Sequence, residues 1–245
     1  MRRLFAALSF LLFSSLLACT SSEIQNPKTS IFYSPHADDE VLSLGSAILH
    51  QINQGNEVVV VLLSKGEASS SFTSINEKLV STAKNPITRQ EFGNARVKEF
   101  KNSVDELGIQ LENTYTYDLP DGQITKEEVI KIIQEMSVLY PSASHHTLSY
   151  LDPHSDHANA GLALKSVQES GEVNSVRFYL PIQEFNKMKY KGTYYTPSNY
   201  KDAYFNGLNS YNIWDPKNGF YAIGYTSVQS YFQTAKKLQE SRWHQ

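Results

Sequence analysis

Two short stretches concentrate the residue types that bind a divalent cation and move a proton. The first is Tyr33-Ser34-Pro35-His36-Ala37-Asp38-Asp39-Glu40, the second Asp152-Pro153-His154-Ser155-Asp156-His157. Together they offer an imidazole beside adjacent carboxylates and then two further imidazoles, enough for a three-ligand site with a carboxylate to spare. A catalytic zinc keeps three nitrogen or oxygen protein ligands and an open position for water, and such ligands also accept other divalent ions. The stretches lie far apart in sequence, so only a folded chain can join them. Each has an ordinary alternative: acids at a helix start complement the macrodipole, and two histidines three apart often sit on a surface. His145 and His146 are rival ligands by type, but neighbours on a strand point to opposite faces, so we expect them to be structural. His50 and His244 read as exposed helical residues without a role.

The elements that must position these residues follow from apolar patterning. Thr29 to Tyr33 reads as a buried first strand ending at Ser34-Pro35. A helix follows with Val41, Leu42, Gly45, Ile48 and Leu49 on one face, ending near Gly55; Gly45 serves close packing. The run Glu57 to Leu63 has the unbroken apolar character of a parallel strand. Phe92 to Leu107 reads as a helix and Thr114 to Tyr117 as a strand. Thr125 opens another helix, with Glu128 as capping-box partner. Ser142 to Leu148, Ala158 to Gln168 and Ser175 to Leu180 continue as strand, helix, strand. This alternation predicts an α/β fold, a three-layer Rossmann-like sandwich around a mostly parallel sheet. Ligands of such sheets collect at the carboxyl ends of the strands, where the first and fourth strands deliver the two stretches. Ser64 to Gln90 is polar and Ser-rich and reads as a long loop of the kind used for lids. Residues 190–225 hold eight of the fifteen tyrosines, either a surface for stacking sugar rings or irregular structure packed by its own rings.

Pro35-His36-Ala37-Asp38-Asp39-Glu40 resembles the His-Pro-Asp-Asp-Glu signature of the LmbE/PIG-L family of zinc-dependent N-acetylglucosamine deacetylases, with Ala37 where the family has Pro. His154-Ser155-Asp156-His157-Ala158-Asn159-Ala160-Gly161 resembles its second motif, with Ser155 again replacing Pro. Gly66-Glu67, Arg96-Val97-Lys98-Glu99, Leu107-Gly108-Ile109 and Asp121-Gly122 fall in the family's order, so the likeness spans residues 30–180. Neither departure touches a ligand atom. The resemblance implies zinc held by His36, Asp39 and His157, with Asp38 as general base. Chemistry points the same way: His36 and Asp39, three apart at a strand–helix junction, can face one ion. Asp38, pointing away from its neighbour, is left free to accept a proton. His154, one turn before His157, is placed to stabilise an oxyanion or protonate a departing amine, and Asp156 to orient that imidazole and hold it charged. Arg96 resembles the family arginine that reaches substrate; its plain alternative is a surface charge paired with Glu99. Asp121-Gly122 reads first as a turn; the resemblance implies a position near the site, with a binding role as the alternative.

Met1-Arg2-Arg3, the apolar run Leu4 to Leu17 and Leu16-Leu17-Ala18-Cys19 read as a lipoprotein signal peptide over residues 1–18. The run is shorter than the roughly 20 residues of a membrane-spanning helix. Cys19 is the only cysteine, which excludes an internal disulfide. The family of lipoproteins it resembles carries a multiply acylated cysteine, so we expect a membrane anchor at Cys19, a tether over 19–29 and one domain over 30–245. Cleavage removes Arg2 and Arg3, taking the formal charge from −3 to −5. An acidic balance argues against a nucleic-acid partner. The expected protein is an exported, lipid-anchored enzyme that deacetylates an N-acetylated sugar or glycoconjugate. The rival readings are an amidase for another N-acyl conjugate, a non-catalytic sugar-binding lipoprotein and a metal scavenger.

Overall fold

The computed structural model describes residues 28–244; the signal peptide, Cys19 and the tether up to residue 27 lie outside the described residues. In chain order the elements are β1 (Thr29–Ser34), α1 (Asp39–Leu42), α2 (Gly45–Asn53), β2 (Glu57–Leu62), α3 (Ser71–Ser81), α4 (Arg89–Glu106), β3 (Thr114–Thr116), α5 (Lys126–Leu139), β4 (Ser144–Leu148), α6 (Ser155–Glu169), β5 (Val176–Tyr179), β6 (Gly192–Tyr195), α7 (Lys201–Ser210), β7 (Trp214–Asp215), β8 (Phe220–Tyr221), α8 (Ile223–Leu238) and β9 (Glu240–His244). Seven strands form one sheet in the order β3-β2-β1-β4-β5-β9-β6. The first five are mutually parallel, and β9 runs antiparallel between β5 and β6.

The continuously apolar strands are buried on both faces. Phe32, Val58, Val60 and Leu62 pack under α2, α4 and α7, and Ile31, Tyr33, Val59 and Val61 pack under α5 and α6. This is the expected three-layer α/β sandwich. From β1 the chain builds outward through β2 and β3, then returns to add β4 and β5 on the other side of β1. The strand order therefore reverses between β1 and β4, and a cleft opens beyond their carboxyl ends. The loops leaving those two strands carry the two motifs, which is how residues distant in sequence become neighbours.

Several boundaries differ from the sequence reading. The first predicted helix is two, α1 and α2. The segment 64–90 is not one loop: α3 lies within it, held by Ile75 and Leu79, which pack with Phe92, Ala95 and Ile223. Two buried apolar residues one turn apart are too sparse a signal in a Ser-rich stretch, but they suffice once α4 and α8 present a partner surface. The tyrosine-rich segment is no single platform, since Tyr204 and Tyr211 are fully buried while Tyr190 and Tyr195 face solvent. His244 lies on strand β9 rather than a helix, buried, bonded to Ser149 Oγ at 2.7 Å and stacked on Phe178. His50, in the last turn of α2, stacks on Tyr194. His145 and His146 do point to opposite faces: His145 Nδ1 meets the Tyr33 hydroxyl at 2.9 Å, and His146 stacks on Phe32.

Candidate active site

β1 hands the chain to a tight connection in which the Ser34 hydroxyl donates to His36 O and the His36 amide donates to Asp39 Oδ2 at 3.0 Å. Asp38 is forced to φ 129°, ψ −27°. An L-residue adopts such a conformation only when its surroundings over-determine it, at a cost of about 1–3 kcal/mol. On the other side, β4 leads to α6, whose N-cap is His154 and whose first turn carries Asp156 and His157. A methyl group at Gly161 would come within 2.3 Å of Tyr150 N. Glycine at that point lets α6 lie against the β4 loop and sets the depth of both histidines.

Three donor atoms converge where the loops meet. His36 Nδ1 and His157 Nε2 are 3.2 Å apart, His36 Nδ1 and Asp39 Oδ2 3.4 Å, and His157 Nε2 and Asp39 Oδ2 3.3 Å. Zinc bonds to nitrogen and oxygen of about 2.0–2.2 Å in a tetrahedron would place ligands about 3.3–3.6 Å apart. The donor set fits such an ion in type, count and spacing, and all three residues are buried. Their remaining ring nitrogens are held by carboxylates: His36 Nε2 by Asp156 Oδ2 at 3.0 Å with Asp121 Oδ1 at 3.3 Å, and His157 Nδ1 by Asp152 Oδ2 at 2.8 Å. Carboxylates behind ligating histidines fix tautomer and ring orientation.

The charges in this cluster are strongly coupled. Burial opposes the charged form of His157, but Asp39 and Asp152 outweigh it and lift its pKa to about 9. His36 is likewise raised against burial by Asp121, Asp156 and Asp39. Burial also disfavours ionised Asp39, yet the two imidazoles hold its carboxyl well below the usual range. A site this rich in carboxylates demands positive charge, and a cation displaces the protons that otherwise supply it. For Asp38, burial and then Asp39 push upward, Arg96 pulls back, and the pKa comes to about 7. That is the range in which a carboxylate is effective as a general base near neutrality.

His36, Asp38, Asp39, Arg96, His154 and His157 all line one cleft of about 350 Å³. Asp156 lies behind it, and its role differs from expectation. It accepts from the Gly122 amide at 2.7 Å and the Ile124 amide at 3.2 Å and braces His36, with no hydrogen bond to His154. Residues two apart on a helix do not face each other, so Asp156 reaches the loop before α5 instead. His154 stacks on the His157 ring, and burial followed by His157 and His36 lowers its pKa, so it is not held charged. Arg96 is neither a surface charge nor a partner of Glu99. It is buried, donating from Nη1 to Gly66 O at 2.9 Å and from Nη2 to Ala37 O at 2.5 Å and Asp38 Oδ2 at 3.1 Å. Glu99 accepts instead from the Ile223 and Gly224 amides at the start of α8.

Four contributions go beyond the sequence expectations. Asp152 stood in the second motif without a role and proves to be the partner of His157. Asp121, expected as a turn residue with a binding role near the site as the alternative, reaches His36 and accepts from the Ala68 amide at 2.7 Å. Glu40 accepts from the Asp38 amide. The outer wall of the cleft comes from Ser69, Ile182, Gln183, Ser227, Val228 and Tyr231. α8 breaks at Val228 (φ −141°, ψ 49°), and Ser227 there meets Ser69 Oγ at 2.9 Å. No motif spacing signals these, because they belong to segments whose placement depends on the sheet beneath them.

The chain is 27% identical over 173 residues to the diacetylchitobiose deacetylase of Thermococcus kodakarensis, a match covering 66% of this chain and 59% of that protein. The fold is similar to that of N,N'-diacetylchitobiose deacetylase from Pyrococcus horikoshii, with a TM-score of 0.62, 16% identity and coverage of 91% and 86% of the two chains. It is also similar to the 4-carboxy-2-hydroxymuconate hydratase of Pseudomonas putida, with a TM-score of 0.60, 19% identity and coverage of 89% and 95%. Deacetylases and a hydratase thus share this architecture, so the fold alone does not select the chemistry. The model of the GlcNAc-PI de-N-acetylase (PIG-L) family matches residues 31–167, more than half of the chain. The protein belongs to that family.

Proposed function

We propose that the protein is a divalent-metal-dependent hydrolase that removes acetyl from an N-acetylated amino sugar or glycoconjugate. The observation that carries this reading is the meeting of His36 Nδ1, Asp39 Oδ2 and His157 Nε2 within 3.2–3.4 Å of one another, in one cleft with Asp38. Membership of a de-N-acetylase family and similarity to diacetylchitobiose deacetylases support amide hydrolysis on a sugar.

His36, Asp39 and His157 would hold the cation, zinc by donor type, which when bound supplies Lewis acidity and lowers the pKa of water. The chain's own groups do the rest. Arg96 holds Asp38 Oδ2, leaving Oδ1 without a protein partner among the described residues and free to take a proton from the attacking water. The His154 imidazole, in the same cleft, donates an N–H to the oxygen that becomes negative as water adds to the amide carbon. The proton on Asp38 then passes to the sugar nitrogen as the carbon–nitrogen bond breaks, giving acetate and a free amine.

The test is amine release from N-acetylglucosamine, its short oligomers and other N-acyl conjugates, with chelator and with metal restored. Release that is lost with chelator and regained with zinc supports the reading, whereas release indifferent to chelator defeats it. Turnover confined to non-sugar amides would favour the amidase. The sequence of residues 1–19 supports export and acylation at Cys19. Lipid labelling of the wild type that disappears in Cys19→Ser is the expected result, and labelling that persists would refute the anchor.

A further inference from the structure

Asp38 is aimed by a strained backbone, and something must hold that backbone. Its amide donates to Glu40 Oε2 at 2.9 Å, and Glu40 Oε1 accepts from the Tyr211 hydroxyl at 2.7 Å. Both side chains are fully buried, and neither lines the cleft. Tyr211 directly follows α7 and lies beyond the segment matched by the family model. Its ring packs on Phe232, with centroids 5.6 Å apart, and a methyl group at Gly224 would sit 2.4 Å from its Cδ1. The ring is thus seated by α8, and its hydroxyl crosses to the connection that follows β1.

We propose that Tyr211 and Glu40 are positioning residues for the general base: the hydroxyl locks Glu40, and Glu40 locks the Asp38 amide in the conformation that turns its carboxylate into the cleft. This rests on the hydrolase reading of the site. The bridge needs one acceptor facing Asp38 and one polar atom facing Tyr211. Glutamine supplies both, with its carbonyl toward the Asp38 amide and its NH₂ donating to the Tyr211 oxygen. Glu40→Gln therefore keeps the bridge, while Tyr211→Phe breaks it and leaves the ring's packing intact.

The experiment measures kcat and KM for amine release, and zinc affinity by chelator competition, in the wild type and both variants. For Tyr211→Phe, we expect kcat to fall about ten- to hundredfold, the scale of a small misplacement of a reacting group. KM and zinc affinity should stay within about twofold, since substrate contacts and ligands are untouched. Glu40→Gln should keep kcat within about threefold of wild type, a rescue that loss of packing would not produce. A Tyr211→Phe protein with wild-type kcat overturns the proposal, as does one whose zinc affinity falls in step with kcat. If Tyr211→Phe does not fold, Glu40→Gln decides alone: folded, zinc-binding protein with more than about tenfold loss of kcat refutes the bridge. Absence of amine release from the wild type would instead fault the hydrolase reading, so the two failures are distinct.

Discussion

Asp152→Asn removes one acceptor from a carboxylate that accepts on both of its oxygens. Oδ2 lies 2.8 Å from His157 Nδ1, and Oδ1 receives the His154 amide at 2.9 Å, with the side chain entirely buried. Asparagine offers one carbonyl oxygen and one NH₂, so it cannot satisfy two N–H donors. If its NH₂ faces His157, the ring must present a bare Nδ1 and carry its proton on Nε2, the atom that faces Asp39 and His36. If its NH₂ faces the His154 amide, two donors oppose each other in a buried place, at a cost of about 1–3 kcal/mol, and the start of α6 shifts with His157 on it. Loss of such a partner typically weakens metal binding about 10- to 100-fold, or about 1.4–2.8 kcal/mol. Zinc affinity is read by competition with a chromophoric chelator at neutral pH. Asp118→Asn, which breaks the exposed pair with Lys65, serves as the control. Folded Asp152→Asn with unchanged zinc affinity would refute the argument that this carboxylate sets the His157 tautomer.

Asp38→Asn should lower kcat for amine release by about 10²–10⁴, the usual worth of a general base, while zinc titrates as in the wild type; retained turnover assigns the base elsewhere. Gly161→Ala should destabilise the protein by about 1–3 kcal/mol, because the added methyl meets Tyr150 N at 2.3 Å, and a thermal melt beside zinc affinity shows whether α6 has moved. Burial depresses His145 to about 4 and His146 to about 3. Folded-state values below the unfolded one mean that the unfolded chain binds protons first, so stability is full above about pH 6.5 and declines as pH falls toward the folded values. At about 1.4 kcal/mol per unit, His145 alone contributes a loss on the order of 3 kcal/mol by pH 4. Urea midpoints followed from pH 7.5 to 4 should fall, and His145→Gln should flatten the decline.

Local pattern carried most of the layered fold. Unbroken apolar runs at β1 and β2 announce strands buried on both faces, and the Thr125–Glu128 capping box is present as read from spacing. A second box, Thr88 with Glu91, follows the same rule at the end of a Ser-rich stretch. α3 has little signal of its own, because its Phe72, Ile75 and Leu79 find a partner surface only once α4 and α8 are in place. The antiparallel place of β9 was hidden because strand order is a long-range property. Closeness in sequence suggests that Asp156 partners His154, whereas the helix directs it to the Gly122 and Ile124 amides.

Residue types and their local spacing determined by themselves which chemistry was available: imidazoles and carboxylates at the ends of strands, able to hold a cation and move a proton. Only tertiary structure decided who partners whom. The reversal of strand order between β1 and β4 brings His36 within 3.2 Å of His157. The burial that follows makes unpaired charge costly, so Asp152, Asp156 and Arg96 had to be engaged as they are. Burial and long-range pairing depend on the whole sheet, and no window of sequence contains them.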